Sequence, residues 1–249
     1  MEPGSPVQKA GIGPGALLLQ MRLDPPRDVF AHFEGRFEVA QLAPQQVDFR
    51  FTVKPGGPER EARRLNRGGL YLRFDRFDHD SVSWVVGNLR TAGDGPVILD
   101  LRQNAGGPTD ELRLLAGVLF DRDLAIGYRV ASGKTPLNAR SRGAAYNGPL
   151  ALLVGSGTAS AAEVLSDAVL HYKRGLVVGE KTQGAVLEAE FFPLPDGGRL
   201  EIPINDLLGA SGRRLEARGV EPSIPVTLDG RSSDRDLVLE KAEKMLDAR

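Results

Sequence analysis

Cysteine is absent from the 249-residue chain, which excludes disulfides, thiolate metal centres and cysteine nucleophiles together. Histidine is nearly as scarce. The three present, His32, His79 and His171, show no ligand spacing, so no metal site and no cofactor are expected. No apolar stretch approaches the length of a membrane span. Neither charge is in excess: 32 Lys and Arg face 33 Asp and Glu, for a net charge of −1. That balance gives no electrostatic grounds for binding nucleic acid or an anionic membrane. The opening "MEPGSPVQKAG" lacks the basic and apolar regions of a signal peptide, which reads as a cytoplasmic chain or a mature or truncated form.

Glycine, by contrast, is plentiful at 30 residues, which implies many turns and close backbone approaches. Residues 1–67 are rich in Pro and Gly, with short β-like runs at "ALLLQMRL" (16–23) and "VDFRFTV" (47–53), and residues 54–69 read as a linker. The cluster "EREARRLNR" (59–67) mixes both signs and reads as a solvated surface. From Leu70 onward strands alternate with helices. "LYLRFD" (70–75), "PVILDLR" (96–102), "LAIGYRV" (124–130), "PLALLVG" (149–155) and "RGLVVGE" (174–180) have the apolar texture of buried strands. Val82, Val85, Val86 and Leu89 lie at helical spacing, and Pro108 and Thr109 open a second helix with Leu112, Leu115 and Leu119 inward. A third helix presents Ala161, Val164, Leu165, Ala168 and Val169. Residues 131–148 read as a long polar loop, a lid or mobile edge. Two β runs (185–195 and 198–206) and a closing helix with Val238, Ala242 and Met245 follow, with Ser233 as its cap. The repeated β–helix–β order predicts an α/β fold with a mainly parallel sheet.

Ser160 stands at the junction in "GSGTASAAEVLSDAVLHY" (155–172), and three readings are open. Ser160 and Glu163 fit a capping box, in which each side chain satisfies an orphan amide of the other. Alternatively, Gly155-Ser156-Gly157 with a strand ending in Glu180 mimics a dinucleotide fingerprint, although Ser160 replaces its third glycine. Thirdly, a serine at a strand-to-helix turn sits at the positive end of the helix dipole and can act as a nucleophile beside free amides. "LDLRQNAGG" (99–107), ending in Gly106-Gly107, offers a second source of such amides.

The ordered set "DLRQNAGG" (100–107), "GTASAAEVLSDAV" (157–169), "VVGEKTQGA" (177–185) and "LEARGVEPSIPV" (215–226) resembles the C-terminal processing (tail-specific) serine peptidase family. "GSPVQKAGIGPGALLL" (4–19) resembles the middle of a PDZ domain, with Ala16 in place of the usual aspartate. The resemblance implies a ClpP/crotonase-like core of stacked β–β–α units at 68–249, preceded by a truncated, β-rich PDZ-like region and linker at 1–67. It also implies a serine peptidase acting on peptide or protein substrates, with Ser160 as nucleophile and the amides of Gly107 and Ala161 as oxyanion donors. Export to the periplasm or cell envelope is a further implication.

The pattern breaks at the general base. The family's lysine position holds Ala185, and Ala189 stands where a supporting glutamine is usual. His171 lies eleven positions along the same helix as Ser160, about 16 Å away along the axis. His79 reads as part of a helix start capped by Asp78 or Asp80, and His32 has no motif. Lys181 is about 13 Å of strand from position 185. A second branch resembles tricorn and retinoid-binding-protein-like members, where an upstream histidine serves the serine and a downstream acid supports it. Glu188 and Glu216 are the candidates for that acid, and the histidine would precede Met1. The chain therefore reads as a fragment or a diverged member, either a peptidase or a non-catalytic peptide- or ligand-binding relative that lost its base.

Overall fold

The computed structural model describes residues 17–24, 31–39, 45–53, 60–65, 68–141, 146–194, 199–226 and 235–247. The chain forms two compact units, Met1–Pro58 and Glu59–Arg249. In the first, β1 (Leu17–Asp24), β2 (Ala31–Val39) and β3 (Gln45–Val53) make an antiparallel sheet in that order. Leu23, Phe33 and Phe51 stand in register across it. Most of the PDZ-like stretch, residues 4–16, lies outside the described residues, as does Ser233.

The second unit runs β4 (Arg60–Arg64), β5 (Leu70–Phe74), α1 (His79–Ala92), β6 (Val97–Asp100), α2 (Thr109–Leu119), β7 (Leu124–Val130), β8 (Lys134–Ala139), β9 (Leu150–Val154), α3 (Ala161–His171) and β10 (Leu176–Gly179). It closes with β11 (Glu188–Pro193), β12 (Arg199–Gly209), β13 (Ile224–Pro225) and α4 (Leu237–Leu246). A six-stranded sheet has the order β13-β10-β9-β6-β5-β4, parallel except for the edge pair β4–β5. A four-stranded antiparallel sheet, β11-β12-β7-β8, stands beside it.

The central strands are apolar almost throughout, Arg73 and the strand-end Asp100 excepted, because both faces are covered. Leu70, Leu72, Val97, Leu99, Leu150, Leu152 and Val177 point into the core shared with α1, α2 and α3. The alternate residues Tyr71, Ile98, Ala151, Leu153, Leu176 and Val178 form a second core under α4. Strand side chains alternate between faces, so a continuous apolar run is what a sheet covered on both sides requires. Each fully buried aliphatic side chain contributes about 1.5–3 kcal/mol.

Three local expectations are corrected. Residues 60–64, read as linker, form β4, so the core unit begins at Glu59 rather than after residue 67. As a charged, exposed edge strand, β4 has the composition of a linker because charge protects an open sheet edge from further pairing. The loop at 131–148 is in part a β7–β8 hairpin, with Val130 paired to Lys134 and Leu124 to Ala139. Asp236, not Ser233, caps the closing helix, its Oδ1 accepting the Leu239 N–H at 3.1 Å.

Candidate active site

Two turns meet at the carboxyl ends of β6 and β9. The first, Leu101–Pro108, is shaped by Asn104, which is fully buried. Its Nδ2 donates to the Phe74 carbonyl at 2.8 Å and its Oδ1 accepts the Gly106 N–H at 2.9 Å. Its own carbonyl accepts the Ala159 N–H at 2.9 Å, tying this turn to the one that carries Ser160. Thr158, also fully buried, adds a second tie by donating its hydroxyl to the Leu101 carbonyl at 2.8 Å. Sequence reasoning assigned neither residue a role. The available signal was a polar side chain inside otherwise apolar and glycine-rich stretches.

Glycine is required at 106 by two constraints. Its φ is +88°, and a Cβ there would stand 2.5 Å from the Ser160 Cβ. The Gly106-Gly107 bend and the Ser160 turn are therefore in direct contact. Ser160 itself has φ 52° and ψ −121°, a left-handed backbone that a non-glycine residue adopts only under constraint from its surroundings. An ordinary N-cap residue is extended, so the capping role alone does not account for this geometry. The Ser160 N–H reaches both the Ala185 carbonyl (2.8 Å) and Glu163 Oε2 (3.1 Å). Among the described residues, neither the Gly107 N–H nor the Ala161 N–H has a hydrogen-bond partner. Ala161 opens α3, where unpaired amides and the helix dipole favour negative charge.

Glu163 does more than complete a capping box. Fully buried, it accepts from the Thr182 hydroxyl (2.5 Å) and the Gly184 N–H (2.7 Å) on Oε1. Its Oε2 takes the Ala185 N–H (2.9 Å) as well as that of Ser160. One carboxylate thus joins the nucleophile turn to the 182–185 segment, and all its lone pairs are engaged. Thr182 Oγ1 in turn accepts the Val220 N–H at 2.7 Å, which brings the 219–222 segment into the same arrangement.

The other candidates are dispersed. Ala185 lies beside Ser160 through the main-chain bond already described. Glu188 is held by Arg129 through two bonds of 2.6 Å and by Asn205 Nδ2 at 2.6 Å. Burial opposes its charge, but the Arg129 guanidinium and the Asn205 amide outweigh that and hold the carboxyl below the ordinary range. Glu216 Oε2 accepts the Val186 N–H at 2.7 Å. Lys181 pairs with Glu221 at 2.8 Å on the surface. His79 opens α1 behind the Asp78 cap and faces Glu111 at 3.2 Å. His171 ends α3 and packs edge-on against Tyr172. No acidic or basic side chain among the described residues hydrogen-bonds to the Ser160 hydroxyl, and none of them forms a group of three or more His, Cys, Asp or Glu suited to a metal ion. No helix among them is long and apolar enough to cross a membrane.

This site can be set beside known proteins. The family model described as Peptidase family S41 matches residues 69–226. A "Probable CtpA-like serine protease" of Staphylococcus haemolyticus is 26% identical over 253 residues, covering 89% of this chain and 48% of that protein. A carboxyl-terminal-processing protease of Synechocystis is 28% identical over 227 residues, covering 81% of this chain and 52% of the relative. The chain thus spans about half the length of these two relatives. Among solved structures, the photosystem II D1 C-terminal processing protease superposes with a TM-score of 0.67 at 23% identity, covering 98% of this chain and 70% of that one. At that identity the likeness establishes the shared fold.

Proposed function

Because the chain belongs to peptidase family S41, we propose that its second unit is a serine peptidase domain acting on peptide or protein substrates through Ser160. The observation that carries this reading is the constrained Ser160 turn packed against Gly106, with two unpartnered amides alongside. In the reaction, the Ser160 oxygen bonds to a peptide carbonyl carbon and the carbonyl π-electrons move to its oxygen. The N–H groups of Gly107 and Ala161 stabilise that oxyanion. The tetrahedral species collapses as the C–N bond breaks, the proton lost from Ser160 leaves on the departing amine, and water then hydrolyses the acyl-enzyme to a carboxylic acid and free serine. Fixed amides at an oxyanion are worth about 10²–10³ in rate each.

The proton acceptor is the part that no described side chain supplies. Glu163 is excluded because both its oxygens are already occupied by four donors. That observation favours a second reading: a member of the family whose chemistry is impaired at Ala185 and which binds peptides without rapid turnover. General-base assistance is worth about 10²–10⁴-fold. A fluorophosphonate probe followed by intact-mass measurement tests the first reading. The expected result is one adduct on the wild type and none on Ser160→Ala; no adduct on either under forcing conditions excludes an active nucleophile. Ala185→Lys, placed where the main chain already touches Ser160, is expected to raise the labelling rate about 10²-fold or more if the defect lies there.

A further inference from the structure

The family match ends at Val226, yet α4 beyond it reaches the site through one side chain. Arg102 is the second residue after β6 and lies at the beginning of the Leu101–Pro108 turn that carries Gly106 and Gly107. Its guanidinium donates to both oxygens of Asp236, Nη1 to Oδ1 at 2.8 Å and Nη2 to Oδ2 at 2.6 Å. It also pairs with the buried Asp100 at two points, Nε donating to Oδ1 at 3.0 Å and Nη2 to Oδ2 at 2.5 Å, and Asp100 Oδ2 takes the Tyr71 hydroxyl at 2.8 Å. The same residue abuts the second turn: a Cβ at Gly157 would stand 2.6 Å from the Arg102 carbonyl oxygen, and one at Gly155 would lie 3.8 Å from the Arg102 Cγ. Arg102 is therefore in contact with four things at once, namely the oxyanion turn by covalent continuity, the nucleophile turn by packing, the end of β6 through Asp100, and the closing helix by a fork-to-fork ion pair.

We infer that Arg102 is a positioning residue for the site, anchored by Asp100 at the end of β6, and that α4 completes its clamp through Asp236. The inference rests on the peptidase reading for its catalytic consequence, not for its structural one. Planar two-point pairing fixes the direction of a guanidinium as well as its place, which a single contact does not. Asp236 is the N-cap of α4, so its carboxylate direction is set by the Leu239 N–H and by the burial of Val238, Leu239, Ala242 and Leu246 in the second core. Docking of the helix and placement of the turn are thereby one event. The sequence alone did not show this, because the two partners lie 134 positions apart.

Asp236→Ser separates the two jobs of the aspartate, since serine caps a helix about as well as aspartate but offers no carboxylate to Arg102. Hydrogen–deuterium exchange of the whole chain is the primary measurement. The expected result is exchange faster by about tenfold or more across residues 102–107, with residues 239–246 protected as in the wild type. Arg102→Met breaks the same clamp from the other end while leaving the cap, and is expected to give the same pattern. Fluorophosphonate labelling of Ser160 is expected to slow about threefold or more in both variants. Unchanged exchange at 102–107 in both variants, or loosening only in step with loss of α4, overturns the proposal. Since exchange requires no turnover, a wild type that takes no probe would refute the peptidase reading and leave this test standing.

Discussion

The Ser160 region and the β11–β12 hairpin are both rich in apolar residues, yet the structure uses them in opposite ways. In β9 and the first three turns of α3, every residue from Leu150 to Gly155 and from Ala161 to Val169 is buried, Glu163, Ser166 and Asp167 included. In the hairpin, Phe191 is 61% exposed, and Phe192, Leu200, Ile202 and Ile204 are also exposed. Where burial is complete, the few polar groups inside must be satisfied, so they dictate geometry. Asn104, Thr158 and Glu163 each fix backbone in this way, since a buried polar group left unpaired costs about 1–3 kcal/mol. Where burial is partial, apolar side chains carry little positional information, and the hairpin is held at its base by the Arg129–Glu188–Asn205 group.

That contrast can be broken most severely at Glu163. Glu163→Gln turns an acceptor oxygen into a donor facing other donors and is expected to cost about 2–4 kcal/mol in chemical denaturation. Ser160 labelling is expected to fall below about a hundredth of the wild-type rate. Next comes Gly106→Ala, whose Cβ meets Ser160 at a positive φ. About 1–3 kcal/mol of destabilisation and at least about tenfold slower labelling are expected. In the other region, Glu188→Gln is expected to cost about 1 kcal/mol, kept low because Arg129 is partly solvated, with labelling unchanged within about twofold. Its pH dependence has a definite sign. The folded carboxyl titrates below its unfolded value, so its contribution is complete above the unfolded pKa and disappears as pH falls through the folded one. Urea midpoints followed downward from pH 5 should therefore converge for wild type and Glu188→Gln. The smallest effect is expected for Phe191→Ser, within about 0.5 kcal/mol in the same assay.

The same contrast explains what could be read from the sequence. The buried parallel strands and α1 to α3 were legible because complete burial writes unbroken apolar runs and helical periodicity into the chain. β4 and β8 were not, since "REARR" and "KTPLNA" are edge segments, the first largely exposed and the second buried only at Leu137 and Ala139, and their pairing partners more than their own side chains make them strands. The juxtaposition of the Gly106-Gly107 bend and Ser160 was implied by the family resemblance and not by either stretch alone. Of the four bonds of Glu163 only the one from the Ser160 N–H, the capping-box bond, was legible; the other three donors lie 19 to 22 positions away and two of them are main-chain amides with no residue signature. Asp236 was missed as the cap because residues 232–236 hold several side chains able to cap a helix.

A last consequence concerns how this site would change under selection. A serine with φ near 52° occupies a conformation in which glycine alone is relaxed. Selection for heat tolerance with no demand on hydrolysis would therefore drive position 160 toward glycine, erasing the hydroxyl first. A descendant that keeps serine there carries a backbone strain of about 1–3 kcal/mol that the surrounding turn must hold in place.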